Sequence, residues 1–111
     1  MRYIPVLCLA GGIAFLGASH ERLTSAAEAR FMAENAVAMN VMMQRMDVVA
    51  TGSIDRDFAA MMIPHHQGAI DMAVSELRYG RNETLRRLSQ EIIVTQQQEI
   101  AAMRLAIGSS R

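Results

Sequence analysis

The sequence predicts an all-α protein, a small antiparallel bundle of three main helices that follows a separate N-terminal segment. Apolar residues recur at helical spacing along three stretches, typical helix starts and ends separate those stretches, and no alternating strand pattern competes with them. A chain of 111 residues suffices for one domain and not for two. We therefore expect a single helical domain over residues 20–111, with helices at about residues 25–50, 54–79 and 83–107.

The first 19 residues have the layout of a secretory signal peptide, in which Arg2 precedes an apolar run over residues 4–16. A retained membrane anchor is the alternative, although the run is shorter than the roughly 20 residues of a spanning helix. The only cysteine, Cys8, lies in this segment, so the mature protein would contain no thiol in an oxidising compartment. The sequence predicts a periplasmic or secreted protein, or a membrane-anchored one if the segment is retained. Cleavage before His20 would give that residue a free amine that, with its imidazole, could chelate Cu(II); the alternative is an ordinary polar residue beside a cleavage site.

Each predicted helix has a polar residue suited to capping its first turn. These residues are Ser25, Ser53 and Asn82. The first helix should stop at Gly52, and the second should end at Gly80 in the left-handed conformation that glycine adopts readily. Connections of only a few residues imply antiparallel neighbours, so the simplest architecture is a helical hairpin with a third helix packed on it.

Composition excludes several classes of function. Eleven acidic residues balance eleven arginines, whereas a nucleic-acid or anionic-membrane binder needs a basic surplus. The sequence also contains no glycine-rich phosphate loop, no Gly-x-Ser-x-Gly elbow and no Glu-x-x-His motif of a di-iron bundle. We therefore expect no enzyme, no nucleic-acid partner and, after signal cleavage, no membrane partner.

A histidine occupies the middle of the apolar stripe that helical spacing predicts on the second helix. The stripe comprises Phe58, Met62, His65, Ala69, Met72 and Glu76. His66 lies about 100° away, on the flank of the stripe. The third helix has a similar line in which two polar residues, Gln96 and Glu99, interrupt the apolar ones. We expect one of these two to face His65, either as a hydrogen-bonded pair that sets helix register or as the group that orients a metal-binding ring.

Methionine is unusually frequent, with ten in 111 residues. Four share one side of the first helix: Met32, Met39, Met43 and Met46. Others lie on the second and third helices: Met61, Met62, Met72 and Met103. Such stripes can be ordinary core packing, because Met adapts to irregular gaps. Thioether sulfur also selects Cu(I), and imidazole accepts both oxidation states of copper, so Met and His without Cys favour a copper site.

Two sequence strings resemble a known family, the domain of unknown function 305. They are DRDFAAMMIPHHQGAIDMA, residues 55–73, and IIVTQQQEIAAM, residues 92–103. Members of this family include copper-binding, copper-resistance proteins of the CopM type in the bacterial periplasm. The resemblance implies a small ferritin-like helical bundle that is exported or membrane-anchored and binds copper. Its marked positions fall on Asp57, Phe58, Met62, His65, His66, Met72, Gln96, Glu99 and Met103.

Our leading hypothesis is an exported protein that buffers, carries or sequesters Cu(I), and also Cu(II), through a His–Met site. The expected ligands are His65, His66, Met62, Met72 and Met103. We expect Gln96, Glu99 and Asp57 to orient the ligands, and Met39, Met43, Met46 and Met61 to be additional soft ligands. The alternative is a metal-free interaction or dimerisation module of the bacterial envelope, in which the methionine face of the first helix contacts a second copy.

Overall fold

A computed structural model describes residues 25–109 and confirms the all-α class. Helix α1 is Ala26–Met46, α2 is Ile54–Tyr79 and α3 is Glu83–Ser109. No strand occurs within residues 25–109. The predicted signal segment over residues 1–19, with Cys8, and His20 after the expected cleavage site lie outside the described residues. In the part of the chain that is described, no helix is long and apolar enough to cross a membrane.

The predicted capping residues all act as caps. The hydroxyl oxygen of Ser25 accepts a hydrogen bond from the Glu28 amide at 3.1 Å, and that of Ser53 accepts one from the Arg56 amide at 3.4 Å. The Asn82 side-chain oxygen accepts a bond from the Leu85 amide at 3.0 Å. Each bond satisfies one of the amide donors that a first helical turn leaves without a partner.

The first helix ends four residues earlier than predicted, at Met46 rather than residue 50. Residues 47–53 form a linker that Asp57 organises from the first turn of α2. Its carboxylate accepts bonds from the Thr51 amide at 3.1 Å and from the Thr51 hydroxyl at 2.6 Å. Gly52 adopts a φ of +87°, which glycine tolerates and other residues rarely do. The apolar spacing that predicted a longer helix continues past Met46. Beyond that residue, the bonds between Asp57 and Thr51 hold the backbone as a linker instead.

The expectation that Gly80 adopts a left-handed conformation is wrong, because its backbone is extended, with φ −73° and ψ 153°. An arginine supplies the capping contacts instead. One guanidinium nitrogen of Arg86 donates to the carbonyl oxygens of Leu77 at 2.5 Å and Gly80 at 3.0 Å. A cation at the C-terminal end of α2 also complements the helix dipole. The second helix therefore ends where predicted, at Tyr79, by a different mechanism.

Helix α2 lies between the other two helices. It packs against α1 and against α3, and within the described residues α1 and α3 make no contact with each other. The three helices therefore form one layer rather than a closed bundle. Because its two neighbours contact different sides, α2 has two buried faces and two open ones.

Small side chains dominate the interior of this layer. The buried apolar residues are Ala38, Ala59, Ile70, Ala73 and Ile100. At the α1–α2 interface the Asn35 amide donates to the hydroxyl of Ser75 at 3.2 Å, and Ser75 is 1% exposed. Nearby, Gly68 lies against the side chain of Met42. Small residues at these positions let the two helices approach closely.

A polar cluster joins the N-terminal half of α1 to the end of α2. The Glu34 carboxylate accepts hydrogen bonds from the Tyr79 hydroxyl and from the Arg78 guanidinium, both at 2.7 Å. These two donors hold the pKa of Glu34 below its usual value, with Tyr79 the larger influence. Ionised Glu34 is therefore the form that connects these two helices.

Candidate metal centre

A histidine and a carboxylate meet at the interface between α2 and α3. The Nε2 atom of His66 lies 2.6 Å from the Oε2 atom of Glu99. The side chain of His66 is 11% exposed, whereas that of Glu99 is 51% exposed. The imidazole is therefore largely inside the layer, and its carboxylate partner reaches the solvent.

The sequence-based assignment of His65 to the core is wrong. His65 is exposed, and His66 is the histidine that faces α3 and pairs with Glu99. The predicted stripe falls between the two faces that α2 buries, and Phe58 on the same line is 54% exposed. Helical periodicity identifies an apolar stripe. Which stripe is buried depends on where the two neighbouring helices pack.

The other ring nitrogen of His66, Nδ1, is buried and makes no hydrogen bond. In the tautomer whose Nε2–H donates to Glu99, Nδ1 presents a lone pair without a partner. A buried polar atom in this state costs free energy unless a ligand or water satisfies it. Metal-binding histidines commonly have this arrangement, in which the ring nitrogen that does not bind metal donates to a carboxylate.

Two methionines lie one helical turn from this pair. Met62 precedes His66 by four residues on α2, and Met103 follows Glu99 by four residues on α3. Because the two helices are antiparallel, the His66–Glu99 contact places Met62 and Met103 at the same level of the interface. Both are partly buried, and Met103 lines an open cavity of about 270 Å³ beside Phe58. The two methionines are therefore one helical turn from the His66–Glu99 pair along the helices, and Met103 also borders a cavity that is open to solvent.

Of the remaining residues predicted for the site, one lies near the His66–Glu99 pair and two lie elsewhere. Gln96 is partly buried on α3, one turn before Glu99. Met72 lies between Gly68 and Ser75 on the side of α2 that packs against α1, so it is not beside His66. Asp57 organises the linker after α1, as described above. The structure therefore gives Met72 and Asp57 positions away from the His66–Glu99 pair.

The additional soft ligands predicted from the sequence lie away from the pair as well. Met39, Met43 and Met61 are exposed, and Met46 is partly buried near the end of α1. The ring of His65 approaches that of His66 edge-on, with centroids 5.9 Å apart. His65 is thus a neighbour of the buried imidazole but points to a different environment.

No group of three or more His, Cys, Asp or Glu side chains within residues 25–109 could together hold a metal ion. Hard cations such as Mg²⁺ and Ca²⁺ need several oxygen ligands, and structural Zn²⁺ usually needs four nitrogen or sulfur ligands. The residues one helical turn from the His66–Glu99 pair instead offer thioether sulfur.

Sequence reasoning could have found His66 from a second apolar line on α2. Ala59, Met62, His66, Ile70, Ala73 and Leu77 also recur at helical spacing. A central helix needs two such lines, one for each neighbour.

The family model for a domain of unknown function, DUF305, matches residues 14–107. The chain belongs to the DUF305 family. No curated protein matches the chain. The match extends across all three helices, so both halves of the His66–Glu99 pair lie within the DUF305 region.

Proposed function

We propose that this DUF305 protein binds copper at the α2–α3 interface, as a carrier or buffer of Cu(I). The observation that carries the proposal is the buried, unpartnered Nδ1 atom of His66, whose opposite nitrogen is fixed by Glu99. The carboxylate sets the tautomer and ring orientation and makes Nδ1 a better donor to metal. His66 would be the imidazole ligand, with Met62 and Met103 as thioether ligands.

The chemistry of these donors favours copper over other metals. Thioethers are soft ligands that select Cu(I), and imidazole binds both Cu(I) and Cu(II). Neither ligand type carries a charge, so the centre would hold Cu(I) less tightly than a pair of thiolates. Moderate affinity suits a protein that must also release its cargo. The proposed role is copper binding rather than catalysis. We also propose that the protein is exported, as expected from residues 1–19.

The direct test is an anaerobic Cu(I) titration of the purified chain in competition with a chromophoric Cu(I) chelator. We expect His66→Ala to weaken Cu(I) binding at least about tenfold, as loss of a metal ligand should. His65→Ala is the matched control, because it removes the neighbouring imidazole from an exposed position. Equal affinity of the His66→Ala variant and the wild-type chain would overturn the proposal.

A second comparison tests the thioethers separately from the imidazole. Met→Leu substitutions remove the sulfur atom with little change in volume, and such exchanges usually cost less than about 1.5 kcal/mol of stability. Met62→Leu and Met103→Leu should each weaken Cu(I) binding. Met72→Leu, on the α1 side of α2, should leave it unchanged. X-ray absorption of the Cu(I) form should show sulfur scatterers that decrease in the first two variants only.

An interaction module that functions without metal is the second candidate function. It is favoured by the methionines of α1, because Met32, Met39 and Met43 are each more than half exposed. Methionine-rich surfaces adapt to partners of varied shape. If the chain binds a protein partner equally well with and without a copper chelator, that result would support this function over the copper site.

A further inference from the structure

We propose that a second copy of this chain covers one open face of the three-helix layer, through apolar residues from all three helices. The exposed large residues of this open face are Met32, Met39, Met43, Phe58, Met61, Leu85 and Leu88. The inference extends beyond the methionines of α1 and does not depend on copper binding.

The two faces of the layer differ in chemistry. On one face, a groove between α1 and α2 is lined by Glu34, Val37, Val41, Asp71, Val74 and Arg78. At about 100° per residue, Met39 and Met43 lie on the side of α1 opposite Val37 and Val41. Phe58 lies on the side of α2 opposite the groove in the same way. These residues therefore emerge together on the other face, the open face.

Helix α3 contributes to the same surface. It runs antiparallel to α2, as α1 does, so helical spacing brings Leu85 and Leu88 to the open face. Exposed His65 also lies on this face, beside Met61 on α2. The exposed apolar side chains therefore come from all three helices and extend along the layer, with Leu85, Leu88 and Met32 near the C-terminal end of α2 and Phe58 and Met61 near its N-terminal end.

The amount of exposed apolar surface is large for a chain of this size. The seven apolar side chains of the open face are between 37% and 62% exposed. They present roughly 700 Å² in total, close to the 800 Å² or so that each partner buries in a stable protein–protein interface. Isolated exposed apolar residues are normal, but this much exposed apolar area on one face indicates an interaction site.

The interior of a single layer is correspondingly small. Its buried apolar residues comprise three alanines and two isoleucines. An apolar helix face is stabilised by packing on another layer of secondary structure. A second three-helix layer, packed face to face on the first, would supply that partner without any other protein.

Charge favours a second copy over a membrane surface. Helical spacing places the arginines of the three described helices on the groove side or on the outer edges of the layer. The charged residues of the open face are acidic. Glu76 lies near the C-terminal end of α2, and Glu99 lies on α3 where it meets α2. A surface that lies on anionic lipid normally carries basic residues around its apolar centre. A self-complementary apolar contact related by a two-fold axis has no such requirement.

Sedimentation velocity of the purified full-length chain, in buffer with a copper chelator, tests the proposal. We expect the mass of the wild-type chain to rise with concentration and to approach twice the monomer mass at about 100 μM. Met39→Glu and Leu88→Glu place a charge in the interface and should weaken dimerisation at least about tenfold. The matched controls are Val37→Glu on α1 and Val94→Glu on α3, which are exposed away from the open face. All four variants retain residues 1–24, so any association through that segment is common to them.

Circular dichroism of each variant establishes that the helices are retained. The proposal is overturned if the wild-type chain is monomeric up to 100 μM, a concentration well above the expected dissociation constant of about 10 μM. It is also overturned if open-face and control variants dimerise equally, or if the dimer forms only with copper. Cosedimentation of a monomeric chain with phosphatidylcholine vesicles would identify lipid as the occupant instead. Copper titration of the same variants reports separately on the His66 centre.

Discussion

The close approach of α1 to α2 makes Gly68 the position where the smallest change should have a measurable effect. A Cβ atom added at Gly68 would lie 2.7 Å from the sulfur of Met42 and 3.0 Å from its Cβ and Cγ atoms. The sulfur can move by rotation of the side chain. The Met42 Cβ atom is fixed to the backbone, so relief of that contact requires the helices to separate.

Two opposing effects determine the result of Gly68→Ala. Alanine in place of glycine within a helix stabilises by about 1 kcal/mol. Overpacking of a close interface typically destabilises by about 1–3 kcal/mol. We expect a net loss of about 1 kcal/mol in the free energy of unfolding, which corresponds to roughly 4–8 °C in Tm for a domain of this size. Urea denaturation monitored by circular dichroism measures this difference.

Two further variants separate the contact from helix propensity. Gly108→Ala adds the same methyl group near the end of α3, where, among the described residues, it would meet no atom beyond its chain neighbours and its own helix backbone within 4 Å, and it should be neutral or slightly stabilising. Met42→Ala removes the contacts with the Met42 sulfur and Cγ and keeps only the Cβ contact, so its combination with Gly68→Ala should be less destabilising than the sum of the two single changes. A Gly68→Ala variant that gains the full helix-propensity benefit would refute a close contact between α1 and α2.

Three other predictions test individual carboxylates. Glu99→Gln should weaken Cu(I) binding about 10–100-fold in a chelator competition, because it removes the charge that orients the imidazole, whereas exposed Glu91→Gln should not. The Tyr79 hydroxyl is the main cause of the depressed pKa of Glu34. The ionised carboxylate therefore stabilises the fold above the ordinary pKa of 4.5, and this contribution to stability is lost as the pH falls below that value towards the lower pKa in the fold. Urea denaturation at pH 6 and pH 4 should therefore show a smaller loss for Glu34→Gln than for the wild-type chain. Asp57→Ala should lower the free energy of unfolding by about 1–2 kcal/mol with unchanged Cu(I) affinity, since its carboxylate accepts bonds from the linker.

The helices could be predicted because their start signals are local in sequence. Ser25, Ser53 and Asn82 each bond to an amide three residues later, so the relevant partner is always nearby. The ends were harder to predict. The linker after α1 is held by Asp57 from the first turn of α2, and the capping of α2 depends on Arg86 from the next helix. Contacts between elements are not encoded in a local pattern.

The candidate site shows the same division between local and tertiary information. Both histidines, Glu99 and the methionines could be selected from the sequence because residue type indicates possible chemistry. The choice between His65 and His66 depended on which side of α2 meets α3. A one-residue difference along a helix is a rotation of about 100°, so an error of one position exchanges a buried ring for an exposed one.

The methionines have three physically different environments, which a count of methionines cannot distinguish. Met42 lies against Gly68 between two helices, where its flexible side chain fills a narrow space. Met62 and Met103 lie one helical turn from the His66–Glu99 pair, where sulfur could act as a ligand. Met39 is exposed, and its role there depends on a partner. Because α2 has a neighbour on each of two sides, a single apolar stripe could not describe it. The proposed metal centre and the proposed dimer surface therefore involve different methionines, so each proposal can be tested with its own substitutions.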